Sequence, residues 1–231
     1  STMTLPTTLT PQILGPLAAF LSSCTWALGS SSYAKLSQQY PAATINFTRA
    51  IIALPLFIIA TVMAVPQETI FAFNTSIFSW AMLSWLSSYG VGDTLFFLST
   101  RYLGVPGALA IASSYPLFSA LAGILFRNEA LSLARGLGIF AIVIGTSLVI
   151  LSRGTASKEI KDKLALGVFL AILTAGFWSL NTYSVSEASQ HGSAFLINCY
   201  RMCIAMTFCP LLGMVMTKLS KAKTPPLTVA K

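Results

Sequence analysis

Charged side chains are scarce in this sequence, and their scarcity excludes a water-soluble fold. Only 9% of the 231 residues are Asp, Glu, Lys or Arg, whereas 55% are hydrophobic, and the mean hydropathy is +0.76. A soluble core of this size needs more polar surface to cover it. Apolar runs of about 20 residues recur instead, the length at which a helix crosses a hydrocarbon layer about 30 Å thick. The sequence therefore predicts an all-α integral membrane protein.

Residues that bind metals or form disulfides are also few. The sequence has one histidine, His191, and four cysteines, Cys24, Cys199, Cys203 and Cys209. All four cysteines fall inside apolar runs, where we expect them to pack as small side chains rather than to form a disulfide framework. His191 falls in a short loop, away from a set of further ligands. We expect no metal site and no cofactor.

The net charge of +8 does not indicate nucleic-acid binding. The basic residues collect in a linker and a tail, not on one face interleaved with aromatic residues. The P-loop pattern G-x-x-x-x-G-K-[ST] does not occur in the sequence, so we expect no direct ATP coupling within this chain.

Two patterns that resemble proteases do not predict an enzyme. Residues 90–93 (GVGD) match the GxGD signature of intramembrane aspartyl proteases, which need a second aspartate to share a proton with the first. The other aspartate, Asp162, falls in the hydrophilic linker. A serine-protease triad fails as well, because no carboxylate is placed to orient His191. We expect no enzymatic activity.

Seven apolar runs are bounded by polar or proline-containing turns. They lie at residues 12–34, 41–64, 77–100, 105–126, 131–151, 164–186 and 193–217. Residues 152–163 form the one long charged connector, which separates five runs from two. We therefore predict a five-helix unit at 1–151, a charged linker at 152–163, a partial second unit at 164–217 and a basic tail at 218–231.

The sixth and seventh runs repeat the first and second. A shift of 152 residues aligns them without a gap, and it places Trp26 on Trp178, Asn46 on Asn198 and Arg49 on Arg201. Tryptophan, asparagine and arginine in one register are not expected by chance between apolar helices. Because a five-helix unit crosses the membrane an odd number of times, its second copy enters from the opposite side. The repeat is predicted to be inverted.

Ionisable residues within apolar runs are costly and mark candidate functional positions. Arg49, Asp93 and Arg201 are such residues, and Arg49 and Asp93 are predicted at similar depths in adjacent helices, where they can form an ion pair. Two simpler interpretations stay open: an arginine can extend toward the membrane surface, and a buried pair can serve only to hold two helices together. The candidate solute-pathway residues are Trp26, Asn46, Arg49, Asp93, Tyr115, Trp178, Asn198 and Arg201. Pro116 is predicted to bend the fourth helix, which lines a cavity or serves packing alone.

Basic residues outside the apolar runs are distributed unevenly between the two predicted sides. One side has only Arg127 and Arg135. The other side has Lys35, Arg101, Arg153, Lys158, Lys161, Lys163, Lys218, Lys221, Lys223 and Lys231. The positive-inside rule then predicts a multi-pass protein with the tail and the 152–163 linker in the cytoplasm or its equivalent, and with the amino terminus outside.

Four short segments stand out as a set: residues 92–97 (GDTLFF), 101–105 (RYLGV), 115–117 (YPL) and 128–132 (NEALS). Together they resemble the EamA-type half of the drug/metabolite transporter superfamily. The resemblance covers one five-helix unit and two helices of the next. It implies an alternating-access carrier with two inverted five-helix units around a central site, for metabolites such as amino acids or sugar and phosphate compounds. The sequence contains two helices of the second unit where the resemblance implies five, as expected of a fragment or of a shortened protein. Its predicted orientation also differs from the one expected for the family.

Two functions are compatible with this pattern. The first is a secondary, ATP-independent transporter of a small polar or anionic metabolite by alternating access, whose partners are the solute and the lipid bilayer. The alternative is a non-transporting subunit or assembly factor of a larger membrane complex. That alternative expects a second copy of this chain, or another membrane protein, to supply the helices missing from the second repeat.

Overall fold

The computed structural model describes residues 11–127, 132–151 and 158–223, and within these ranges the chain is helical with no β-strand. A π-helical turn, Leu86–Gly92, joins the fourth helix to the fifth. The helices are α1 (Pro11–Leu36), α2 (Ala42–Ala64), α3 (Gln67–Phe71), α4 (Thr75–Trp85), α5 (Asp93–Ala112), α6 (Tyr115–Arg127), α7 (Leu133–Leu151), α8 (Lys158–Ala188) and α9 (Ala194–Lys223).

Five segments of the described chain are long and apolar enough to cross a membrane: Ile13–Leu36, Ala42–Ala64, Thr75–Leu125, Lys163–Ala188 and Ala194–Val215. Large apolar side chains point outward from the bundle, including Leu28 (76% exposed) and Met63 (83% exposed). Such faces are stable against lipid and not against water. The chain is an integral, multi-pass membrane protein.

The segment Thr75–Leu125 contains two crossings. Gly104 interrupts α5 with φ 67° and ψ 166°, a conformation that residues with a side chain rarely adopt. One continuous helix would hold Asp93 and Tyr115 about 33 Å apart, yet both line the same cavity. The chain therefore turns back at Gly104. Together with α7, whose 19 residues extend about 28 Å, the described chain has the seven crossings predicted from its apolar runs.

Several helix bounds differ from the predicted runs. The third crossing begins at Thr75 and contains the π-helical turn, and the fourth is interrupted at Ser113 and Ser114, between α5 and α6. The short helix α3 was not predicted, because five residues give too little periodicity to detect. Helix α8 begins within the predicted linker, and α9 continues into the predicted tail. Residues 152–157 and 224–231 of those segments lie outside the described residues, and the domain boundaries remain a prediction.

The two helices that correspond by the repeat run antiparallel. In α2 and α9, Thr61 Oγ1 lies 3.2 Å from Cys199 Sγ near one end. Toward the other end, a Cβ built on Gly213 would lie 3.6 Å from the Cβ of Ala43. Since residue numbers rise in α2 where they fall in α9, the second copy is inverted relative to the first.

Helices α1 and α8 also run in opposite directions. Both pack against the third crossing, and their contacts with it show the direction of each. Trp26 of α1 packs near Phe96, and farther along Arg101 Nη2 donates to the carbonyl of Ser37, so α1 runs parallel to the third crossing. Helix α8 runs antiparallel to it. Its Trp178 contacts Asp93, and a Cβ on Gly167 would lie 2.7 Å from the Cβ of Tyr102.

Candidate functional site

A cavity of about 740 Å³ lies where the two inverted units meet. Its volume is within the range of small-molecule sites, about 300–1,000 Å³. Helices α1, α2, α5, α6, α8 and α9 and the π-helical turn all contribute to its wall. The lining residues are Ser22, Ser23, Trp26, Ala27, Arg49, Ser88, Tyr89, Asp93, Leu109, Ser113, Tyr115, Pro116, Trp178, Asn181, Thr182 and Arg201.

Arg49 and Asp93 form an ion pair in the wall of this cavity. Arg49 Nη1 lies 3.0 Å from Asp93 Oδ2, and the Asp93 side chain is 3% exposed against 23% for Arg49. The other carboxylate oxygen, Oδ1, accepts a hydrogen bond of 3.2 Å from Trp178 Nε1. Both oxygens of Asp93 are therefore engaged, one by each repeat.

The π-helical turn and its last residue place Asp93 against Trp178. A Cβ on Gly92 would lie 2.6 Å from the carbonyl oxygen of Ser87 and 2.8 Å from Trp178 Cδ1, distances that real side chains do not reach. Only glycine lets the indole approach this closely. π-helical turns within α-helices occur frequently at functional sites because they shift side chains out of the regular register.

Aromatic rings and an asparagine hold the Arg49 guanidinium. Its Nη1 also donates to Asn46 Oδ1 at 2.9 Å, one turn earlier in α2. The guanidinium carbon lies 4.8 Å from the ring centre of Tyr33, 5.2 Å from that of Tyr89 and 5.4 Å from that of Trp26. Ring faces at this distance attract a cation, and they also restrict how far Arg49 can turn away from Asp93.

Arg201, the counterpart of Arg49, has neutral partners instead. It donates from Nη1 to Asn198 Oδ1 at 3.0 Å and from Nη2 to Asn181 Oδ1 at 3.1 Å. Its guanidinium carbon lies 5.6 Å from the ring centre of Tyr89, which thus contacts both arginines. Its Nε is buried without a hydrogen-bond partner among the described residues. Within those residues no carboxylate lies at ion-pair distance from Arg201.

The repeat-related tryptophans meet in the cavity. The rings of Trp26 and Trp178 are 5.6 Å apart and inclined at 79°, an edge-to-face contact that is favourable for aromatic pairs. Trp26 lies ten residues before the end of α1, and Trp178 lies ten residues before the end of α8. The repeat thus supplies two equivalent rings from opposite directions.

The structure brings most of the predicted pathway residues to this cavity. Its wall contains Trp26, Arg49, Asp93, Tyr115, Trp178 and Arg201. Asn46 and Asn198 are not in the wall, and each accepts a hydrogen bond from the arginine one turn later. Pro116 lines the cavity in the first turn of α6, just after the helix interruption at Ser113 and Ser114. A role in solute passage remains a prediction for all of them.

Sequence reasoning missed Tyr89 and Asn181. Tyr89 precedes Asp93 by four residues, a spacing that places two side chains on one helical face, so its signal was available. Asn181 gives no repeat signal, because its counterpart in the first unit is Gly29. The remaining indication that Asn181 belongs to the site was its polar amide within an apolar run, three residues after Trp178.

The chain matches a known transporter family. Residues 13–151, more than half of its length, match the EamA-like transporter family. The chain belongs to that family. The match covers the first five-helix unit, whereas α8 and α9 lie beyond the matched residues. No curated protein and no solved structure matches the chain significantly.

The two aspartates of the sequence fall in different helices. Asp93 begins α5, whereas Asp162 lies in α8, sixteen residues before Trp178 in the chain. The family match is to transporters and not to proteases. Among the described residues, no group of three or more His, Cys, Asp or Glu residues is placed to hold a metal ion.

Proposed function

We propose that this EamA-family protein is a secondary transporter that carries a small polar or anionic metabolite by alternating access. One observation supports this most strongly. The cavity is lined by corresponding residues of two inverted units, Trp26 with Trp178 and Arg49 with Arg201. Inverted units around a central site are the architecture in which two conformations of similar energy open that site to opposite sides.

The charges in the cavity favour an anionic solute. Two guanidinium groups and one carboxylate line it among the described residues, which leaves one positive charge unbalanced. Such a charge at membrane depth is costly without a partner and attracts an anion. Hydroxyl groups of Ser22, Ser113 and Thr182 in the wall supply further hydrogen bonds to a polar solute.

The contacts of Asp93 are suited to couple the solute to movement of the two units. Asp93 bonds Arg49 of its own unit and Trp178 of the other, so a change in their relative position must alter one of these bonds. A solute that binds one arrangement more tightly shifts the population toward it. No chemical step is required of any residue.

The orientation that we propose has the end of α9 in the cytoplasm and the start of α1 outside. The alternation of the helices brings Lys35, Arg101, Lys163 and Lys218 to one end of the bundle. Basic residues near helix ends are retained on the cytoplasmic side. We therefore place the end of the bundle that has these four basic residues on the cytoplasmic side of the membrane.

The transporter proposal is tested by measuring counterflow in proteoliposomes. Three radiolabelled probes are used: L-lactate, glycerol 3-phosphate and mannitol. We expect exchange of at least one anionic probe by the wild type and by Arg101→Gln, an arginine outside the cavity wall. We expect its loss in Asp93→Asn and Arg49→Gln.

Exchange of mannitol without an anion would contradict the anionic class. Exchange at the wild-type rate by correctly inserted Asp93→Asn and Arg49→Gln proteins would contradict this pathway. Inactivity of the wild type together with a stoichiometric membrane-protein partner would favour the subunit alternative.

A further inference from the structure

Side chains of α2 bond the π-helical turn of the third crossing. Asn46, fully buried in α2, donates from Nδ2 to the backbone carbonyl of Tyr89 at 3.0 Å. One turn later in α2, Arg49 Nη1 lies 3.0 Å from Asp93 Oδ2. Tyr89 lies within the π-helical turn and Asp93 follows its last residue. Helix α2 therefore contacts the turn at two points, once through its backbone and once through a side chain.

The bond from Asn46 uses the carbonyl that a regular α-helix would give to Asp93. In an α-helix each N–H donates to the carbonyl four residues earlier, and for Asp93 that carbonyl belongs to Tyr89. Here the Asp93 N–H donates instead to the carbonyl of Ser88, five residues earlier. Because Asn46 supplies a donor to the Tyr89 carbonyl, it favours the π-helical form of the turn over the α-helical form.

A backbone carbonyl at membrane depth needs such a donor. Without water, a carbonyl that loses its helical hydrogen bond is costly unless a side chain or a neighbouring helix replaces that bond. The next carbonyl of the turn, that of Gly90, accepts from Thr94 Oγ1 at 3.0 Å within the same helix. The bond from Asn46 comes from another helix, so it joins the register of the turn to the position of α2.

An amide is the group that fits both partners of Asn46. Arg49 Nη1 donates to Asn46 Oδ1 at 2.9 Å, and a guanidinium offers donors only. The Tyr89 carbonyl offers an acceptor only, so it faces the NH2 group. Aspartate in place of Asn46 would accept from Arg49 but could not donate to the carbonyl. Serine is shorter and tends to bond the carbonyl four residues earlier in its own helix.

The register of the turn determines the position of Asp93. One residue of an α-helix corresponds to a rotation of about 100° and a rise of about 1.5 Å. A change of the turn from π-helical to α-helical would shift the residues after it by about one such step relative to those before it. Asp93 Oδ1, which lies 3.2 Å from Trp178 Nε1, would then move away from the indole.

We infer that Asn46 is a positioning residue, which holds the third crossing in its π-helical register and thereby keeps Asp93 against Trp178. Asn46 is not among the residues that line the cavity, whereas Tyr89 and Asp93 are. The inference rests on the proposed function for the identity of the site. The role of Asn46 in transport is then indirect, through the position of Asp93.

The test observes both ends of this chain of contacts by NMR in mild detergent, without a solute. Tyr89–Gly90 is the one Tyr–Gly pair among the 231 residues. Labelling tyrosine carbonyl carbons and glycine nitrogens with NMR-active isotopes therefore gives a single carbon–nitrogen correlation. The indole N–H of Trp178 is identified among those of the four tryptophans by its loss in Trp178→Phe. Both signals are recorded for the wild type, Asn46→Asp and Asn46→Ser.

Thr48→Val is the matched control. Thr48 lies in α2 two residues after Asn46, and its hydroxyl donates to the Thr44 carbonyl of the same helix at 3.0 Å. The substitution removes a side-chain hydrogen bond within α2 and leaves the one from Asn46 to the third crossing intact.

We expect both Asn46 variants to move the Tyr89 carbonyl signal to lower chemical shift, because the carbonyl loses a donor. The indole proton of Trp178 should move to lower chemical shift in the same variants, because it separates from the Asp93 carboxylate. Thr48→Val should leave both signals at their wild-type positions. A role of Asn46 in packing alone would lower stability without moving the Trp178 signal.

Two further features keep the test decisive if the buried charge of Asn46→Asp prevents folding. Asn46→Ser introduces a small, neutral side chain. In the wild type in lipid bilayers, solid-state NMR should detect a dipolar coupling between the side-chain nitrogen of Asn46 and the carbonyl carbon of Tyr89, since Nδ2 lies 3.0 Å from the carbonyl oxygen.

Three results would overturn the inference: no such coupling in the wild type, a Trp178 signal that stays in place in folded Asn46 variants, or equal movement of both signals in Thr48→Val. Counterflow by the wild type together with any of these results would leave the transporter proposal standing while this inference fails. The expected NMR shifts without counterflow of any probe would have the opposite meaning.

Discussion

Trp178 Nε1 donates a 3.2 Å hydrogen bond to Asp93 Oδ1, which joins α8 of the second unit to α5 of the first. The same carboxylate accepts from Arg49 through its other oxygen. Asp93 is therefore a junction between the units as well as the counter-charge of Arg49. A change that separates Trp178 from Asp93 removes a hydrogen bond between the units and leaves Asp93 Oδ1 without its indole donor.

The first prediction concerns Gly92, which allows that approach. In Gly92→Ala the new methyl group would meet Trp178 Cδ1 at 2.8 Å and the backbone of Ser87 at 2.6 Å, so α8 or the π-helical turn must shift. We expect unfolding in SDS–detergent mixtures to become easier by about 1–3 kcal/mol, the usual cost of overpacking.

Gly176→Ala is the matched control for Gly92, because a Cβ there meets nothing within 4 Å. Alanine is the better helix former, so this variant should be as stable as the wild type or up to about 1 kcal/mol more stable. Equal destabilisation by the two substitutions would contradict a close contact at Gly92.

The second prediction concerns the ion pair and its asymmetric burial. Arg49→Gln leaves the carboxylate of Asp93, 3% exposed, without its counter-charge, and should cost about 3–5 kcal/mol of unfolding free energy. Asp93→Asn leaves Arg49, which is 23% exposed and surrounded by aromatic rings, and should cost less. The double variant should be more stable than Arg49→Gln alone.

The control for the Arg49 and Asp93 variants is Arg101→Gln. In the wild type the Arg101 guanidinium donates to the Ser37 carbonyl at 3.0 Å. This substitution should cost no more than about 1.5–3 kcal/mol, the range for a hydrogen bond to a charged group. Additive effects of the Arg49 and Asp93 substitutions would mean that the two side chains do not interact in the folded protein.

The sequence predicted those parts of the site that follow from the internal repeat or from the depth of a residue in the membrane. Trp26 with Trp178 and Arg49 with Arg201 followed from one register, and the pairing of Arg49 with Asp93 followed from their similar depth. These features depend on residue spacing along apolar helices, which the sequence shows directly.

Other parts of the site depend on backbone detail that spacing does not reveal. The π-helical turn at Leu86–Gly92 changes hydrogen-bond partners without interrupting the apolar run, so no pattern in the letters indicates it. Asn181, the partner of Arg201, aligns with Gly29 in the repeat register, so comparison of the two units gives no indication of its role. Only the packing of α8 against α9 brings it to that arginine.

The third prediction tests Tyr89, whose ring contacts both arginines. The guanidinium carbons of Arg49 and Arg201 lie 5.2 Å and 5.6 Å from its centre. Tyr89→Leu keeps an apolar side chain and removes the ring, so we expect a loss of about 0.5–2 kcal/mol per contact in unfolding free energy. Tyr89→Phe keeps the ring and should be close to the wild type. Similar effects of the two substitutions would assign the stability to the hydroxyl group instead.

The fourth prediction uses two glycines that correspond in the repeat but differ in surroundings. A Cβ on Gly167 would lie 2.7 Å from Tyr102 Cβ and 2.8 Å from Leu103 Cγ, where α8 packs against α5, whereas a Cβ on Gly15 meets nothing within 4 Å. Small residues allow such close approach between membrane helices. Gly167→Ala should lower the unfolding free energy by about 1–3 kcal/mol, and Gly15→Ala should not lower it. A reversed order would mean that α8 and α5 are farther apart.

The last prediction tests the inverted packing itself through disulfide formation between α2 and α9. Thr61→Cys places a thiol beside native Cys199, whose sulfur lies 3.2 Å from the threonine hydroxyl. Ala43→Cys with Gly213→Cys places two Cβ atoms 3.6 Å apart, within the range of about 3.5–4.5 Å that disulfides require. In chains whose other cysteines are replaced by alanine, both pairs should crosslink under mild oxidation, as seen by mobility on non-reducing gels.

The decisive control combines Thr61→Cys with Gly213→Cys in a chain that lacks the native cysteines. Thr61 lies eighteen residues after Ala43, the neighbour of Gly213, so about 27 Å of helix separates the two thiols if α2 and α9 run antiparallel. They should not crosslink. A crosslink in this variant, with none in the other two, would mean that the helices run parallel. The second unit would then not be inverted, and the alternating-access proposal would lose the symmetry on which it depends.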